Sequence, residues 1–243
     1  MDHFSGGRSE RETRLLARVA CDVLSDFFQR YHQNRGVRFE LGCSVIGFEG
    51  AGGHITSVRL ADGRIVECDT AVVGIGARPN DDIARECGLA TAGGVVVDQD
   101  SRSVTDPAVF AIGDVARRPV PIYGRVFRLE SVPNALEQAK QAASAITGRT
   151  RPPDECPWQW SDQYELKLQI AGYPFDADGV LLRGDPATEK FTVFHMKGDL
   201  VQSVEAVNSP AEFMIGKQLI LGRKPVSVAK LIDQNIPMKS VAA

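Results

Sequence analysis

The chain has 243 residues, a formal net charge of −3 and a sequence isoelectric point of about 5.9. This slightly acidic balance argues against a nucleic-acid-binding protein, which would show a basic excess. No apolar run approaches the roughly 18 residues that a membrane-crossing helix needs, so no membrane segment is expected.

The cysteines favour a cytoplasmic protein with reduced thiols. The sequence has five of them, an odd number, and no two form a CxxC pair. Disulfide frameworks and structural zinc or iron–sulfur sites use paired or closely spaced cysteines, so none is expected in this chain. The polar segment 1–14 lacks the apolar core of a secretory signal, and we expect it to be disordered.

The first part of the chain is predicted to be one helix followed by strands. Apolar residues at three- and four-residue steps predict an amphipathic helix over 15–35, which ends at Gly36. The run Thr70–Ile75 is continuously apolar, which is typical of a strand buried on both faces of a parallel sheet. Between them, four further strands are predicted at Val37–Leu41, Ser44–Glu49, Ile55–Leu60 and Ile65–Cys68.

The middle of the chain alternates short strands with helices. A helix is predicted at Pro79–Glu86 with Asn80 as its N-cap, and strands are predicted at Val95–Val97 and Val109–Ile112. A longer helix is predicted over Pro133–Ile146, with the proline in its first turn and a glycine after its end.

The last part of the chain has a different pattern. Arg151–Pro153 is predicted to be a linker, because its two prolines interrupt the helical and the strand-like spacing of apolar residues. Beyond it, alternating strands followed by helices indicate an α+β module, whereas the preceding part is typical of an α/β protein. The predicted strands are Leu166–Ala171, Gly179–Arg183, Phe191–Lys197 and Leu200–Val207, and the predicted helices are Pro210–Leu221 and Val228–Gln234.

The strongest chemical signal is the run Val109–Val115, in which an apolar strand ends at Gly113 and Asp114. Ligands of open α/β sheets bind beyond the carboxyl ends of the strands. The glycine lets a ligand approach the backbone, and the carboxylate of Asp114 can accept hydrogen bonds from sugar-like hydroxyls. The alternative is an ordinary strand-to-turn junction.

A helix start follows at Ser131, Val132 and Pro133. Its unpaired backbone N–H groups and the positive end of its dipole favour an electron-rich group in front of them. Taken alone, this segment is better explained as an ordinary proline-started helix without a ligand.

Two further patterns could contact planar or nucleotide ligands. Trp158 and Trp160 face the same side of an extended segment, where an exposed indole could stack on a flat ring or pack against a partner. Core packing is the alternative. In Ala71–Asn80, an apolar strand runs into Ile75 and Gly76, where a nucleotide could lie against the backbone.

These patterns, and their order along about residues 15 to 240, resemble those of the ferredoxin reductases of oxygenase systems. Those reductases belong to the FAD-dependent pyridine nucleotide-disulfide oxidoreductase superfamily. The resemblance rests on V-F-A-I-G-D at 109–114, R-L-E-S-V-P-N-A at 128–135 and W-S-D-Q-Y at 160–164. It implies partial Rossmann-like FAD- and NAD(P)-binding domains and a C-terminal reductase domain. It also implies FAD and NAD(P)H as cofactors and a 2Fe–2S ferredoxin as the electron acceptor.

The resemblance assigns a domain to each part of the chain. It implies a non-family N-terminus over 1–14, the C-terminal part of the NAD(P)-binding domain over 15–97, and the returning part of the FAD-binding domain over 98–150. Residues 151–243 would form the reductase or dimerisation domain. The absence of CxxC separates the chain from thioredoxin-reductase-type disulfide enzymes.

The resemblance also implies roles for individual residues, none of them an acid, base or nucleophile, since hydride transfer to a flavin needs none. The implied FAD contacts are Gly113, Asp114, Ser131, Val132, Pro133 and Trp160, and the implied nicotinamide contacts are Ile75, Gly76 and Glu130. The basic side chains Arg117, Arg118 and Arg125 are candidates for docking an acidic ferredoxin, with ordinary solvated charge as the alternative.

The sequence departs from the family in one respect: it contains no G-x-G-x-x-G, the turn that supplies most contacts to a dinucleotide pyrophosphate. We therefore expect a C-terminal part of a longer reductase, with weak or no FAD binding and poor activity by itself. The alternatives are a non-catalytic remnant that acts in dimerisation or partner binding, and complementation by a separate N-terminal segment. The choice between NAD and NADP is not readable from these residues.

Overall fold

The computed structural model describes residues 6–242. The described residues divide into two compact units, one on each side of the boundary between Gly76 and Ala77, and the units are described separately. Within the described residues, no helix combines the length and the apolar character that spanning a bilayer requires.

The first unit begins with a strand where the sequence predicts disorder. β1 (Gly7–Glu10) pairs in parallel with β2 (Arg38–Leu41), and the side chain of Ser9 donates a hydrogen bond to the carbonyl oxygen of Cys43. The prediction of disorder over 1–14 is therefore wrong for residues 7–10, because backbone pairing orders a segment that has few apolar side chains. Residues 1–5 lie outside the described part.

The first helix is shorter than predicted: α1 spans Asp22–Gln33. Leu16 has a φ of +55°, which interrupts a helical path. The guanidinium of Arg14 binds the carbonyl oxygens of Ala17 and Ala20, groups that a continuous helix would use internally. The prediction of a helix from residue 15 is therefore wrong at its start, although Leu24, Phe27, Phe28 and Tyr31 of α1 are buried.

Three strands form an antiparallel meander after α1 and β2. They are β3 (Val45–Ala51), β4 (His54–Leu60) and β5 (Ile65–Glu67), in the order β3-β4-β5. Near the end of β3, where the register with β4 shifts, a Cβ at Gly50 would lie 2.3 Å from the carbonyl oxygen of His54, so only glycine fits there. These predicted strands are confirmed.

The predicted buried strand at Thr70–Ile75 is not formed. Val72 is 94% exposed and Ile75 is 91% exposed, and residues 69–81 have no regular secondary structure. The sequence signal for a buried parallel strand assumes a hydrogen-bonded neighbour on each side. No strand of residues 6–242 supplies one, which leaves an extended apolar segment in solvent.

The second unit opens with a small mixed sheet that the sequence identifies only in part. After α2 (Asp82–Glu86), β6 (Val95–Val96) pairs in parallel with β7 (Ala116–Val120), which pairs antiparallel with β8 (Arg125–Arg128). β7 and β8 are not predicted, because Arg-Arg-Pro and a row of basic residues obscure the alternation. In β7, positions 116, 118 and 120 are nevertheless buried and 117 and 119 are half-buried.

Two local predictions in this region are wrong. The residue before α2 is Asp81, not Asn80, and its carboxylate accepts a hydrogen bond from the amide of Gly94 at 2.7 Å. Val109–Ile112 forms only an isolated bridge, between Phe110 and Arg102, and not a buried strand. Ile112 is exposed because residues 101–103 pair with only one side of this segment.

The long helix of the second unit confirms its prediction. α3 spans Val132–Thr147, with Pro133 in its first turn and Gly148 at its end with a φ of +67°. The side chain of Ser131 caps the helix by accepting a hydrogen bond from the amide of Asn134.

The C-terminal part is a five-stranded antiparallel sheet with helices on one face. The strand order is β11-β12-β13-β10-β9, and α4 packs against β13 and β10. A Cβ at Gly216 in α4 would lie 2.8 Å from Cγ1 of Val204, so the helix approaches the sheet closely. The bounds are β9 (Trp158–Gln163), β10 (Leu166–Gly172), β11 (Gly179–Asp185), β12 (Lys190–Lys197), β13 (Leu200–Val207), α4 (Pro210–Gly222) and α5 (Val228–Ile232).

This C-terminal arrangement confirms the predicted α+β module, with α5 two residues shorter than expected. The side chain of Arg183 fastens the last segment to the sheet. Its guanidinium donates hydrogen bonds to the carbonyl oxygens of Leu231, Asp233 and Ile236 and lies 3.6 Å from the carboxylate of Glu212.

Candidate flavin-facing site

The Gly113–Asp114 pair forms a short 3₁₀ turn, Gly113–Val115, that is fixed against α3. The amide of Gly113 donates a hydrogen bond of 2.7 Å to the side-chain oxygen of Gln138. Gly113 has a φ of +73°, and a Cβ there would lie 3.6 Å from the Cβ of Ala135. The turn is therefore held by the helix, and the side chain of Asp114 remains exposed.

The start of α3 presents its backbone donors next to this turn. Ser131 caps the helix, and Val132, at the first helical position, is 59% exposed. The first N–H groups of an α-helix have no acceptor within the helix, and the helix dipole places partial positive charge there. This end of α3 can therefore stabilise an electron-rich group.

Arg128 connects the turn with the residue before the helix start. Its Nη1 donates a hydrogen bond of 2.7 Å to the carbonyl oxygen of Asp114, and its Nη2 lies 2.5 Å from Oε1 of Glu130. Sequence reasoning did not single out Arg128, because its two partners are brought together only by the fold.

Trp160 lies on β9, which packs against α3. Its indole is 43% exposed and lies 5.5 Å from the ring of Trp158, centroid to centroid. Trp158 packs against Phe213 in the core, with the ammonium of Lys217 4.9 Å from its ring centroid. Core packing therefore describes Trp158, whereas Trp160 keeps an accessible ring.

Ile75 and Gly76 lie in the first unit. Both are exposed, and Gly76 has a φ of +98°, a conformation that favours glycine. A Cβ at Gly76 would lie 3.6 Å from Nη1 of Arg18. The structure gives them no ligand-like partner, and their role toward a nucleotide stays a prediction.

A buried polar network behind the turn was missed by sequence reasoning. Arg118 is 2% exposed and lies 3.4 Å from the carboxylate of Glu137 on α3 and 3.3 Å from that of Asp154. Gln141 donates hydrogen bonds to both carboxylates. Burial raises the pKa of Glu137, and the positive charge of Arg118 opposes that rise. The spacing of Glu137, Gln138 and Gln141 on one face of a predicted helix was the available signal.

This network corrects one predicted role. Arg118 is enclosed by its two acidic partners, so it is not accessible to a docking protein. Arg117 is half-buried, and Arg125 lies at the surface. Arg125 pairs with Asp176 at 3.1 Å, and its guanidinium carbon lies 4.6 Å from the ring centroid of Phe175.

An aromatic cluster fastens β8 and the preceding turn to the C-terminal sheet. The Tyr123 hydroxyl donates a hydrogen bond to the carbonyl oxygen of Gln202 at 2.9 Å and accepts one from the amide of Tyr173 at 2.7 Å. Burial raises the pKa of Tyr123. The rings of Phe127 and Phe175 complete the cluster, with centroids 5.4 Å apart. The elements that carry Arg128 and Trp160 therefore belong to one packed unit.

Comparison with known proteins gives the class to which this fold and site belong. A model of the family "Pyridine nucleotide-disulphide oxidoreductase" matches residues 9–139, and one described as "Reductase C-terminal" matches residues 158–242. The chain belongs to the pyridine nucleotide-disulphide oxidoreductase family and carries a reductase C-terminal region. The predicted fold class, α/β followed by α+β, is confirmed.

Among individual proteins, the chain is similar to ferredoxin reductases. It is 52% identical to the "Probable ferredoxin reductase CtmF" of Castellaniella defragrans over 96% of this chain and 57% of that protein. It is 38% identical to "Putidaredoxin reductase CamA" of Pseudomonas putida over 95% of this chain and 55% of the relative. A crystal structure of the covalent putidaredoxin reductase–putidaredoxin complex superposes with a TM-score of 0.92 at 37% identity, covering 96% of this chain and 56% of that one.

The chain thus spans little more than half the length of these relatives. The residues present fit one end of FAD. The exposed Asp114 carboxylate, the open start of α3 and the accessible Trp160 ring suit the ribityl chain and the isoalloxazine ring. The sequence contains no glycine-rich turn for the pyrophosphate.

Proposed function

We propose that this chain supplies the ring-facing part of the flavin site in an NAD(P)H-dependent ferredoxin reductase. The observation that carries the proposal is the anchoring of the Gly113–Asp114 turn to α3 through Gln138. It sets an exposed carboxylate beside a helix start that attracts negative charge. The similarity to CtmF and CamA supports the same function.

The residues of this chain would position the flavin and its reductant. The carboxylate of Asp114 would accept a hydrogen bond from a ribityl hydroxyl. The amide of Val132 and the dipole of α3, capped by Ser131 and led by Pro133, favour the electron-rich pyrimidine side of the ring. Trp160 offers a flat apolar surface that excludes water from it.

The nicotinamide nucleotide would be contacted by Glu130, whose carboxylate can accept hydrogen bonds from an amide group. In the first unit, taken by itself, the backbone of Ile75 and Gly76 offers hydrogen-bonding groups that no side chain obstructs at the glycine, and a nucleotide contact there is a separate proposal. When bound, FAD would supply the capacity to accept two electrons as hydride and to release them singly. The protein supplies position, charge and exclusion of water.

We propose a 2Fe–2S ferredoxin as the electron acceptor. The proposal is supported by the solved complex of the similar putidaredoxin reductase with putidaredoxin. Arg117 and Arg125 remain the candidates for contact with an acidic partner, since both differ from Arg118 in being at least partly accessible.

FAD titration tests this proposal. We expect the chain alone to bind FAD weakly, because it has no pyrophosphate-binding turn, and to bind it stoichiometrically when co-expressed with the part of CtmF that lies outside the match. Bound flavin is measured by its visible absorbance, and turnover by NADH-dependent reduction of ferricyanide. A co-expressed complex that remains colourless at saturating FAD would contradict the proposal.

The second candidate is a module that acts in dimerisation or partner binding without catalysis. It is favoured by one observation: the sheet β9–β13 and α4 enclose a core of their own, which includes Phe194, Val204 and Phe213. Such a module would stay folded and colourless with every N-terminal fragment, and would show no reductase activity.

A further inference from the structure

Arg128 occupies a fixed position between two residues of the proposed site. Its side chain is 19% exposed, and its two terminal nitrogens have different partners. One donates to the backbone carbonyl of Asp114, and the other pairs with the carboxylate of Glu130. Asp114 is 14 residues away in sequence, so this contact is a product of the fold and not of chain connectivity.

Gly94 makes the space for this arginine. A Cβ at Gly94 would lie 2.6 Å from Cδ of Arg128 and 2.6 Å from the carbonyl oxygen of Val115, and Gly94 has a φ of +129°. The aliphatic part of Arg128 therefore rests directly on backbone. Packing, and not the ion pair alone, determines where the guanidinium lies.

The charge of Glu130 also acts on a neighbouring aromatic side chain. Burial raises the pKa of Tyr173, and the nearby negative charge of Glu130 raises it further. The charge of Glu130 thus reaches the Tyr173 phenol, while its partly exposed carboxylate forms the ion pair with Arg128.

We propose that Arg128 is a positioning residue that ties the flavin-facing turn to the nicotinamide-facing acid, and this inference rests on the function proposed above. By holding the Asp114 carbonyl it fixes the backbone from which the flavin-binding carboxylate projects. By pairing with Glu130 it holds an acceptor for the nicotinamide amide. Only arginine suits this role, because its planar fork reaches two separate acceptors, whereas the ammonium of lysine is a single point of charge.

The first test needs no cofactor. The amide of Ala116 is bonded to the carbonyl of Gly113 and reports on the order of the turn. In Arg128→Met, we expect its hydrogen exchange in the chain to accelerate about tenfold or more, as for loss of a hydrogen bond to a charged donor. Arg128→Lys, which keeps the stem that packs on Gly94, is expected to show an intermediate acceleration. Arg125→Met, on the same strand but paired with the exposed Asp176, is the matched control and should leave this amide unchanged.

The second test uses the complex co-expressed with the CtmF fragment. Arg128→Lys should weaken FAD binding and raise the KM for NAD(P)H more than it lowers kcat, because it misplaces two binding groups. Glu130→Gln should raise the KM alone, and adding Arg128→Lys to it should raise the KM less than in the wild-type background. Equal, additive effects would show that the two side chains act independently and would overturn the coupling.

The two proposals fail in different ways. A wild-type complex that binds no flavin contradicts the proposed function, and the exchange of Ala116 still decides whether Arg128 orders the turn. Unchanged exchange at Ala116 in both Arg128 variants would overturn the positioning role, whatever the flavin titration shows.

Discussion

Two apolar segments of this chain have opposite fates. β13, at Leu200–Val207, lies between β12 and β10, and every residue after its first is buried. The segment Thr70–Ile75 has a similar content of branched apolar residues, yet its side chains are exposed. The difference shows that an apolar run becomes a core strand only where the fold provides paired neighbours on both sides and a helix over one face.

The largest contrast should come from truncating one side chain in each region. Phe194→Ala removes a fully buried ring from the core beneath α4, and should lower the free energy of unfolding by about 3–5 kcal/mol. Val72→Ala should change it by no more than about 0.5 kcal/mol, because the side chain is already in solvent. Chemical denaturation of the chain measures both. Equal losses would contradict the burial assigned to the two segments.

The next contrast concerns the polar side chain that fastens the C-terminus. Arg183→Met leaves the carbonyl oxygens of 231, 233 and 236 without their charged donor, so we expect a loss of about 1.5–3 kcal/mol. Arg85→Met, an exposed arginine of α2, should cost no more than about 1 kcal/mol. Thermal unfolding of both variants separates the effect of the buried hydrogen bonds of Arg183 from that of a surface ion pair. An unchanged unfolding temperature in Arg183→Met would show that these hydrogen bonds do not stabilise the fold.

A glycine in each region gives a smaller contrast. Gly216→Ala places a Cβ 2.8 Å from Val204, and overpacking of this kind costs about 1–3 kcal/mol. Gly74→Ala has nothing within 4 Å of the new Cβ and is expected to be neutral. If Gly216→Ala is also neutral in chemical denaturation, then α4 does not lie as close to the sheet as described.

The smallest effects should appear in the pH dependence of stability, with opposite signs in the two units. The pKa of Glu137 is raised by burial, so the folded state binds its proton more tightly than the unfolded state does. The resulting contribution of Glu137 to stability is fully present below the pKa of the group in the unfolded chain. It is lost as pH rises through the raised pKa of the folded state. The pKa of Asp62 is lowered by hydrogen bonds from Arg64, so its contribution is lost as pH falls through that value.

The free energy of unfolding, measured against pH for wild type, Glu137→Gln and Asp62→Asn, isolates the contributions of the two carboxyl groups. As pH rises above the ordinary pKa of a glutamate, the free energy of unfolding of Glu137→Gln should increase relative to that of wild type. As pH falls below the ordinary pKa of an aspartate, the free energy of unfolding of Asp62→Asn should increase relative to that of wild type. A reversed sign for Glu137→Gln would mean that the network around Arg118 favours the charged form of Glu137, and a reversed sign for Asp62→Asn would mean that the hydrogen bonds from Arg64 do not lower the pKa of Asp62.

Periodicity in the sequence was sufficient to predict α3, α4 and the strands β10–β13, because their apolar patterns are regular. It failed at β7 and β8, where basic residues and a proline occupy strand positions. It also failed at Thr70–Ile75, with which no strand of residues 6–242 pairs. The apolar pattern of a segment shows which side chains it can bury. It does not show whether a neighbouring strand or helix is there to cover them.

The same limit applies to the site. Gly113, Asp114, Val132 and Trp160 could be singled out because motif order along the chain carries them, and their roles stay predictions. Arg128, Gln138 and Gly94 were not, since each acts through a contact with a residue distant in sequence. Arg118 was assigned to a docking surface because a buried arginine in β7 cannot be distinguished from an exposed one before Glu137 and Asp154 are located.

The most direct measurement is the FAD affinity of Asp114→Asn in the complex with the CtmF fragment, with Asp176→Asn as the control at an exposed position. Loss of a charged hydrogen-bond acceptor should weaken binding by roughly 10- to 100-fold, while the control binds as wild type. Equal FAD affinity in Asp114→Asn and wild type would contradict the placement of the flavin at this turn.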